Sequence, residues 1–396
     1  MLIASKKLTQ AFGRAAPKKP LQKLKVMDKR SAKLRLAILD ACKEFQENLK
    51  TGDKDYLRAL HISAKMQNPG FDALQRSALF AKHKAHFREG NQIEVSRIKP
   101  VLKLVTDGEW SERFSVLRSL WSMRYNKGYG RRLRFVIYDE YHNGLMGIIG
   151  LQSPPADLGC RDVLFEFPYG EKLDRVNSTM DAYTVGAIPP YSYLLGGKLC
   201  AGLIASDSIR QAYWRVYANR KSEMQKTRIE QPLAAVTTTS AFGRSSMYNR
   251  LKFGQRLIAE PIGNTLGYGT LHLEHLYVEM CDYLKRAGMY TEGGFGNGPK
   301  VRWQNIANTL TALHLPGNLL RHGVCREVFL FRLVDDLVGG MRTGRFGNPI
   351  ALPDSDFAEY WRERWAIPRA ARYPAWNSTL SVPYLEETLK ALHPQP

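Results

Sequence analysis

Cysteine is scarce and scattered: the 396 residues hold five, Cys42, Cys160, Cys200, Cys281 and Cys325, with no two close in sequence. The odd number and wide spacing leave no visible disulfide framework and no CxxC zinc site, so a reducing cytoplasm is the expected compartment. Long apolar runs are missing too. The opening MLIASKKLTQAFGRAAPKKP has too short an apolar run for a signal peptide, and the best stretch elsewhere is broken by Lys198 and glycines, so no membrane span is expected. None of the 37 acidic residues has a lysine two positions later. That removes the usual D/E-x-K core of metal-dependent nucleases, in which metal and base converge on one water. Ser240, Ser245 and Ser246 lie outside any Gly-x-Ser-x-Gly elbow and have no assignable His-Asp pair, so nucleophilic catalysis is unsupported.

Acid itself is in short supply. Against 58 Lys and Arg the chain sets 37 Asp and Glu, a net +21 with a pI near 9.7, and a surplus of that size suggests a polyanionic partner. Composition is otherwise globular, 44% hydrophobic with 11% aromatic residues. The charge is uneven: residues 1–36 hold eight lysines, among them Lys18, Lys19, Lys23 and Lys25, and three arginines against the single acid Asp28. Such a segment reads as a solvated arm, and equally as an arm that orders on nucleic-acid phosphates and gains affinity by releasing counterions.

Periodicity predicts the main elements. Leu34, Ile38, Cys42, Phe45 and Leu49 recur at four, four, three and four, one face of a helix ended by TGD at 51–53, and Trp110, Phe114, Leu117 and Trp121 mark a second. RLRFVIYDEYHNGLMGIIGLQ reads as a hairpin, with Asn143-Gly144 suited to a type I′ turn. Then come AYTVGAI as a strand, an apolar helical run over 194–204, PLAAVTTTS as a strand, and a basic amphipathic segment over 245–257. LHLEHLYVEMCDYLKRAG reads as a helix stopped by Gly288, followed by a helix over 300–314 and the buried strand REVFLFRLV. An antiparallel hairpin followed by alternating strands and helices predicts a mixed α/β (α+β) sheet with flanking helices.

Several stretches are candidate sites. Arg244, Arg250, Lys252 and Arg256 alternate with Tyr248 and Phe253, a mixture of cations and aromatics suited to a phosphate backbone or to a plain solvated face. GGFGNGPKVRW is a glycine loop running into Lys300 and Arg302, either an anion-binding turn or a connector. His272 and His275, three apart near Glu279 and Asp282, make a metal face geometrically open, but no third ligand is set by spacing and no metal is expected. YWRERWAIPRAARYPAW interleaves Trp361, Trp365, Tyr373 and Trp376 with Arg362, Arg364, Arg369 and Arg372, a set for stacking on bases or for packing as a lid.

Two resemblances rest on these residues. The order hairpin, strand, PPYSYLLGGK, helix, AAVTTTS, SMYNRLKFGQRL resembles the N-acetyltransferase fold, whose late helix carries a Tyr followed by a Gly-Phe pair; Tyr248 and Phe253-Gly254 match loosely. That family cradles the coenzyme A pyrophosphate on backbone N–H groups with an Arg or Gln, a Gly three residues on, and then a small residue. Here Tyr193 and Lys198 occupy the outer slots and Gly196 alone fits, so no cofactor is expected, and Gly196-Gly197 reads better as a close helix-to-strand packing point. If the fold is active, the site implied is Tyr191, Tyr193 and Lys198 with Tyr248 as an acid. Separately, VGAIPPYSYLLGGKL, TTSAFGRSSMYNRLKFG, GYGTLHL, GGFGNGPKVRW and HGVCREVFL, in that order over about residues 90–385, are similar to the DruA family of Druantia anti-phage defence systems. This resemblance implies antiviral defence beside a helicase-like subunit, with nucleic acid, DNA first, as the partner. An active acyltransferase-like enzyme or cryptic nuclease is the alternative, and no catalytic residues are assignable. The organisation expected is a basic arm over 1–30, a helical region over 31–108, an acetyltransferase-like core over 109–260 and a C-terminal extension over 261–396.

Overall fold

Strand-forming runs of β-branched and aromatic residues punctuate the chain. In a computed structural model that describes residues 28–52, 54–66, 73–106, 108–123, 130–221, 233–292 and 299–391, they become nine strands. These are β1 (Pro100–Leu104), β2 (Arg132–Asp139), β3 (Gly144–Gln152), β4 (Thr179–Ala187), β5 (Ala235–Thr239), β6 (Lys252–Phe253), β7 (Arg256–Leu257), β8 (Glu260–Asn264) and β9 (Glu327–Arg332). Seven form one sheet in the order β1-β2-β3-β4-β5-β9-β8, while β6 and β7 make a separate two-stranded hairpin. Every neighbouring pair in the large sheet is antiparallel except β4 with β5. A parallel pair needs a crossover, and here it contains the helices Gly196–Gly202 and Asp207–Tyr217. The fold is thus the mixed α+β sheet that the alternation of patterns predicts.

The ladder between β4 and β5 is short. Thr179–Ala182 pairs with Ala235–Thr238, whereas β4 stays paired with β3 as far as Ala187. Beyond Ala182 the two parallel strands part, and what fills that gap determines the chemistry of the region. At the last paired positions Asp181 accepts hydrogen bonds from Thr237 Oγ1 at 3.1 Å and Gln152 Nε2 at 3.2 Å, and loss of water pushes its carboxyl up to about 6.

Apolar side chains from both sheet and crossover form the main core. Phe135, Ile149, Met180, Ile204, Val236, Phe331 and Trp361 are among its fully or nearly fully buried members. A smaller core joins the helix Lys29–Lys50, through Leu34 and Ile38, to Leu273, Met280, Ile306 and Leu310. Asp28 caps that helix by accepting from Ser31 N–H at 2.9 Å.

Gly202 shows how tightly the crossover packs. A Cβ there would lie 1.9 Å from Phe357 Cζ, inside a buried ring. Gly202→Ala should therefore cost about 1–3 kcal/mol in a denaturant titration. An unchanged midpoint would contradict this packing.

Two local expectations are corrected. The hairpin forms, but its connection is the four residues Glu140–Asn143, with only Asn143 in the left-handed region at φ 56°. The buried Asp139 carboxylate draws the loop in. It accepts from the N–H groups of Lys99 at 2.9 Å and Tyr141 at 3.2 Å, and from His142 Nδ1 at 2.6 Å. The segment 245–257 is not a helix: it is a turn over 245–251, with Arg250 at φ 57°, followed by the β6–β7 hairpin. Remote partners hold the turn at both its donors and its carbonyls, and the Ser246 and Asn249 carbonyls are groups a helix would use. Glu327 Oε2 accepts from Ser245 N–H and Asn249 Nδ2, both at 3.1 Å, and Lys198 Nζ donates to the carbonyls of Ser246 and Asn249.

Candidate nucleic-acid interface

Lys198 follows β4 in sequence and the 245–251 turn follows β5, so the parting strands bring the two together. The Lys198 ammonium donates to Ser246 O at 3.0 Å and Asn249 O at 3.1 Å, and lies 5.5 Å from the centre of the Trp365 ring. Burial lowers its pKa. It therefore serves as a clasp between chain segments. Beside it opens a cleft of about 830 Å³, lined by the cations Lys198, Arg250, Lys252 and Arg364 and by the rings of Tyr360 and Trp365, with no carboxylate in its walls. Arg250, Lys252 and Arg364 are exposed, and none makes an ion pair within 4 Å among the described residues.

The far wall comes from the helix Asp354–Trp361 and the π-helical turn Arg362–Ala366 that continues it. A π turn widens the helix by one residue, and such turns are frequent at functional sites. Here it carries Arg364 and Trp365 into the cleft, while their neighbours hold the wall down. Trp361 is fully buried and donates from Nε1 to Leu195 O at 3.1 Å; Arg362 donates to Ile98 O at 3.1 Å; Arg369 donates to Tyr193 O at 3.2 Å. Trp376 is buried as well. Within the Trp-Arg segment Trp361 and Trp376 pack inward and Arg364 and the half-buried Trp365 line the cleft, while Arg372 and Tyr373 are exposed outside it.

The tyrosines of the enzymatic alternative do not reach this space. Tyr191 is fully buried and donates to Asp139 Oδ2 at 3.0 Å, and burial beside that carboxylate pushes its phenol up. Tyr248 packs between Phe329 and Phe331 with its hydroxyl 3.5 Å from Thr238 Oγ1, and burial pushes it up in the same direction. Gly196 is a close-approach point, since a Cβ there would meet Tyr191 O at 2.7 Å and Ala187 Cβ at 2.9 Å, and Gly197 faces Met247 Sδ.

The remaining sequence candidates are dispersed. Arg244 is exposed but does not line the cleft; Arg256 is half-buried in the β6–β7 hairpin, where burial lowers its pKa. Arg302 pairs with Glu274 and lies 4.1 Å from the centre of the Tyr277 ring. The side chain of Lys300, residues 293–298 of the glycine loop, and Lys18, Lys19, Lys23 and Lys25 lie outside the described residues. His272 is buried and hydrogen-bonded to Leu319 O at 2.8 Å, whereas His275 is exposed, so the two do not share a metal face. Among the described residues no group of three or more His, Cys, Asp and Glu is placed to hold a metal. Sequence reasoning did not single out Tyr360; its spacing of four from Arg364 on one helical face is the signal that was available.

Comparison with known proteins supplies the lineage. The family model described as Druantia protein DruA matches residues 51–342. A curated protein of Escherichia coli (strain UMEA 4076-1), Druantia protein DruA, is 35% identical over 338 residues, covering 82% of this chain and 82% of its own length. No solved structure matches. Agreement of that reach and identity means that the chain belongs to the DruA family.

Proposed function

We propose that this chain acts in Druantia anti-phage defence as a nucleic-acid-binding component, with DNA as the first candidate and a helicase-like subunit as its partner. The observation that carries the binding reading is the cleft, where four cations and two aromatic rings converge without a carboxylate. Cations without acidic neighbours retain their attraction for phosphate, and the net +21 of the chain adds a long-range component. The order β1-β2-β3-β4-β5-β9-β8, with a single parallel pair parting at its end, supports an acetyltransferase-like scaffold. Acetyl transfer finds no support on it, because Met247 sits against Gly197 where a pyrophosphate would need bare backbone. No helix among the described residues is long and apolar enough to cross a membrane, and all five cysteines are unpaired, which fits action in the cytoplasm.

The test is salt. DNA affinity should fall along a log-log line of slope about 0.9 per neutralised phosphate for duplex. Deleting residues 1–27 should flatten the slope and weaken binding without changing which DNA form is preferred. Absent or salt-insensitive binding would refute the proposal.

A further inference from the structure

Resting on the nucleic-acid reading, we propose that the cleft takes an unpaired nucleotide of a single strand, with its base against Trp365 and Tyr360 and its flanking phosphates on Arg250, Lys252 and Arg364. Three observations converge on this ligand. The first is size: about 830 Å³ lies within the roughly 300–1,000 Å³ typical of concave small-ligand sites. A duplex, whose bases are stacked inside it, would bridge the opening and touch only the rim. The second is wall chemistry. Tyr360 and Trp365 meet edge to face, 5.4 Å between ring centres at 89°, and both line the cleft. Phosphate binding alone gives aromatic walls no task, whereas stacking on an exposed base does.

The third observation is order. Phe357, Phe253 and Lys198 surround the two rings: Phe357 lies 6.4 Å from each, Phe253 5.3 Å from Tyr360, and the Lys198 ammonium 5.5 Å from Trp365. The rings are therefore set before any ligand arrives, which lowers the ordering cost of binding. The cations hold complementary positions. Arg250 and Lys252 stand on the turn and hairpin at one side, and Arg364 stands on the π-helical wall, so a backbone crossing the cleft meets charge on both banks.

The experiment compares the full chain on a fluorescent single strand of about 12 nucleotides, a length within the usual span of a single-strand site, on the blunt duplex of the same sequence, and on a free mononucleotide as competitor. The single strand is expected to bind about tenfold or more tighter than the duplex. Trp365→Leu and, independently, the exposed Arg364→Gln should each remove most of that preference, lowering affinity for the single strand much more than affinity for the duplex. Thermal melts identify a misfolded variant, and Arg364→Gln decides the matter if Trp365→Leu melts early. Equal affinity for both forms with a steep salt slope overturns the single-strand assignment and leaves the proposed function standing. No binding to either form overturns both. Competition by the mononucleotide at concentrations near the strand's own Kd overturns the strand as the source of the ligand.

Discussion

Replacing Arg250, Lys252 and Arg364 together by alanine should weaken DNA binding on the order of a hundredfold, at about 1 kcal/mol or more for each charge-assisted hydrogen bond to phosphate that is removed. The log-log salt slope should fall by about 2 to 3 in the same protein. The three side chains are exposed and free of ion pairs among the described residues, so the variant should melt like the parent. Arg244→Ala provides the contrast. Arg244 is also exposed but lies outside the cleft, and its loss should cost severalfold at most. Lysine at positions 250 and 364 should recover part of the affinity, and less wherever the guanidinium holds a phosphate by two bonds. If the triple variant binds as tightly as its parent, the cleft is not the interface, and the basic arm becomes the principal binding element.

Acid should destabilise the protein well above the range in which carboxylates titrate. His61, on the helix Lys54–Met66, and His322 are buried with Phe45, Phe242 and His272 around them, and Arg326 stands near both. Burial first, and the Arg326 charge second, lower each histidine from 6.5 to about 4. The unfolded chain takes up protons at these sites as pH falls through about 6.5, while the folded chain resists until about 4. The stability that these two sites contribute is therefore full above pH 6.5 and is lost between 6.5 and 4, on the order of several kcal/mol for the two together, and Asp181, pushed up to about 6, offsets part of that loss. Against a total of about 5–15 kcal/mol for a typical domain, that is a large fraction. Chemical denaturation at pH 7, 6, 5 and 4.5 measures the slope, and His61→Phe, which cannot take up a proton, should remove about half of it. An unchanged slope in that variant would show that the proton uptake lies elsewhere.

The family was legible in the order of short motifs, and most elements were legible in periodicity. The spacing of Leu34, Ile38 and Phe45 marks the buried face of Lys29–Lys50, and β4, β5 and β9 follow from their β-branched and aromatic runs. These depend on neighbours within a few residues, which a linear reading sees directly. The hairpin was legible but its turn was not, because Asp139 gathers N–H groups from Lys99 and Tyr141 and reshapes the loop. The segment 245–257 carries helical periodicity, yet Glu327 and Lys198, both remote in sequence, take its hydrogen-bonding groups and fold it into a turn and hairpin. The cleft belongs wholly to tertiary structure. Charge surplus and a mixture of Arg with Trp are properties of composition, visible in any order of reading. Whether Lys198, Arg250 and Arg364 share one hollow depends on where β4 and β5 part and on how Trp361 seats the helix Asp354–Trp361 against Leu195. Those interactions join residues far apart in the chain, and packing alone selects them.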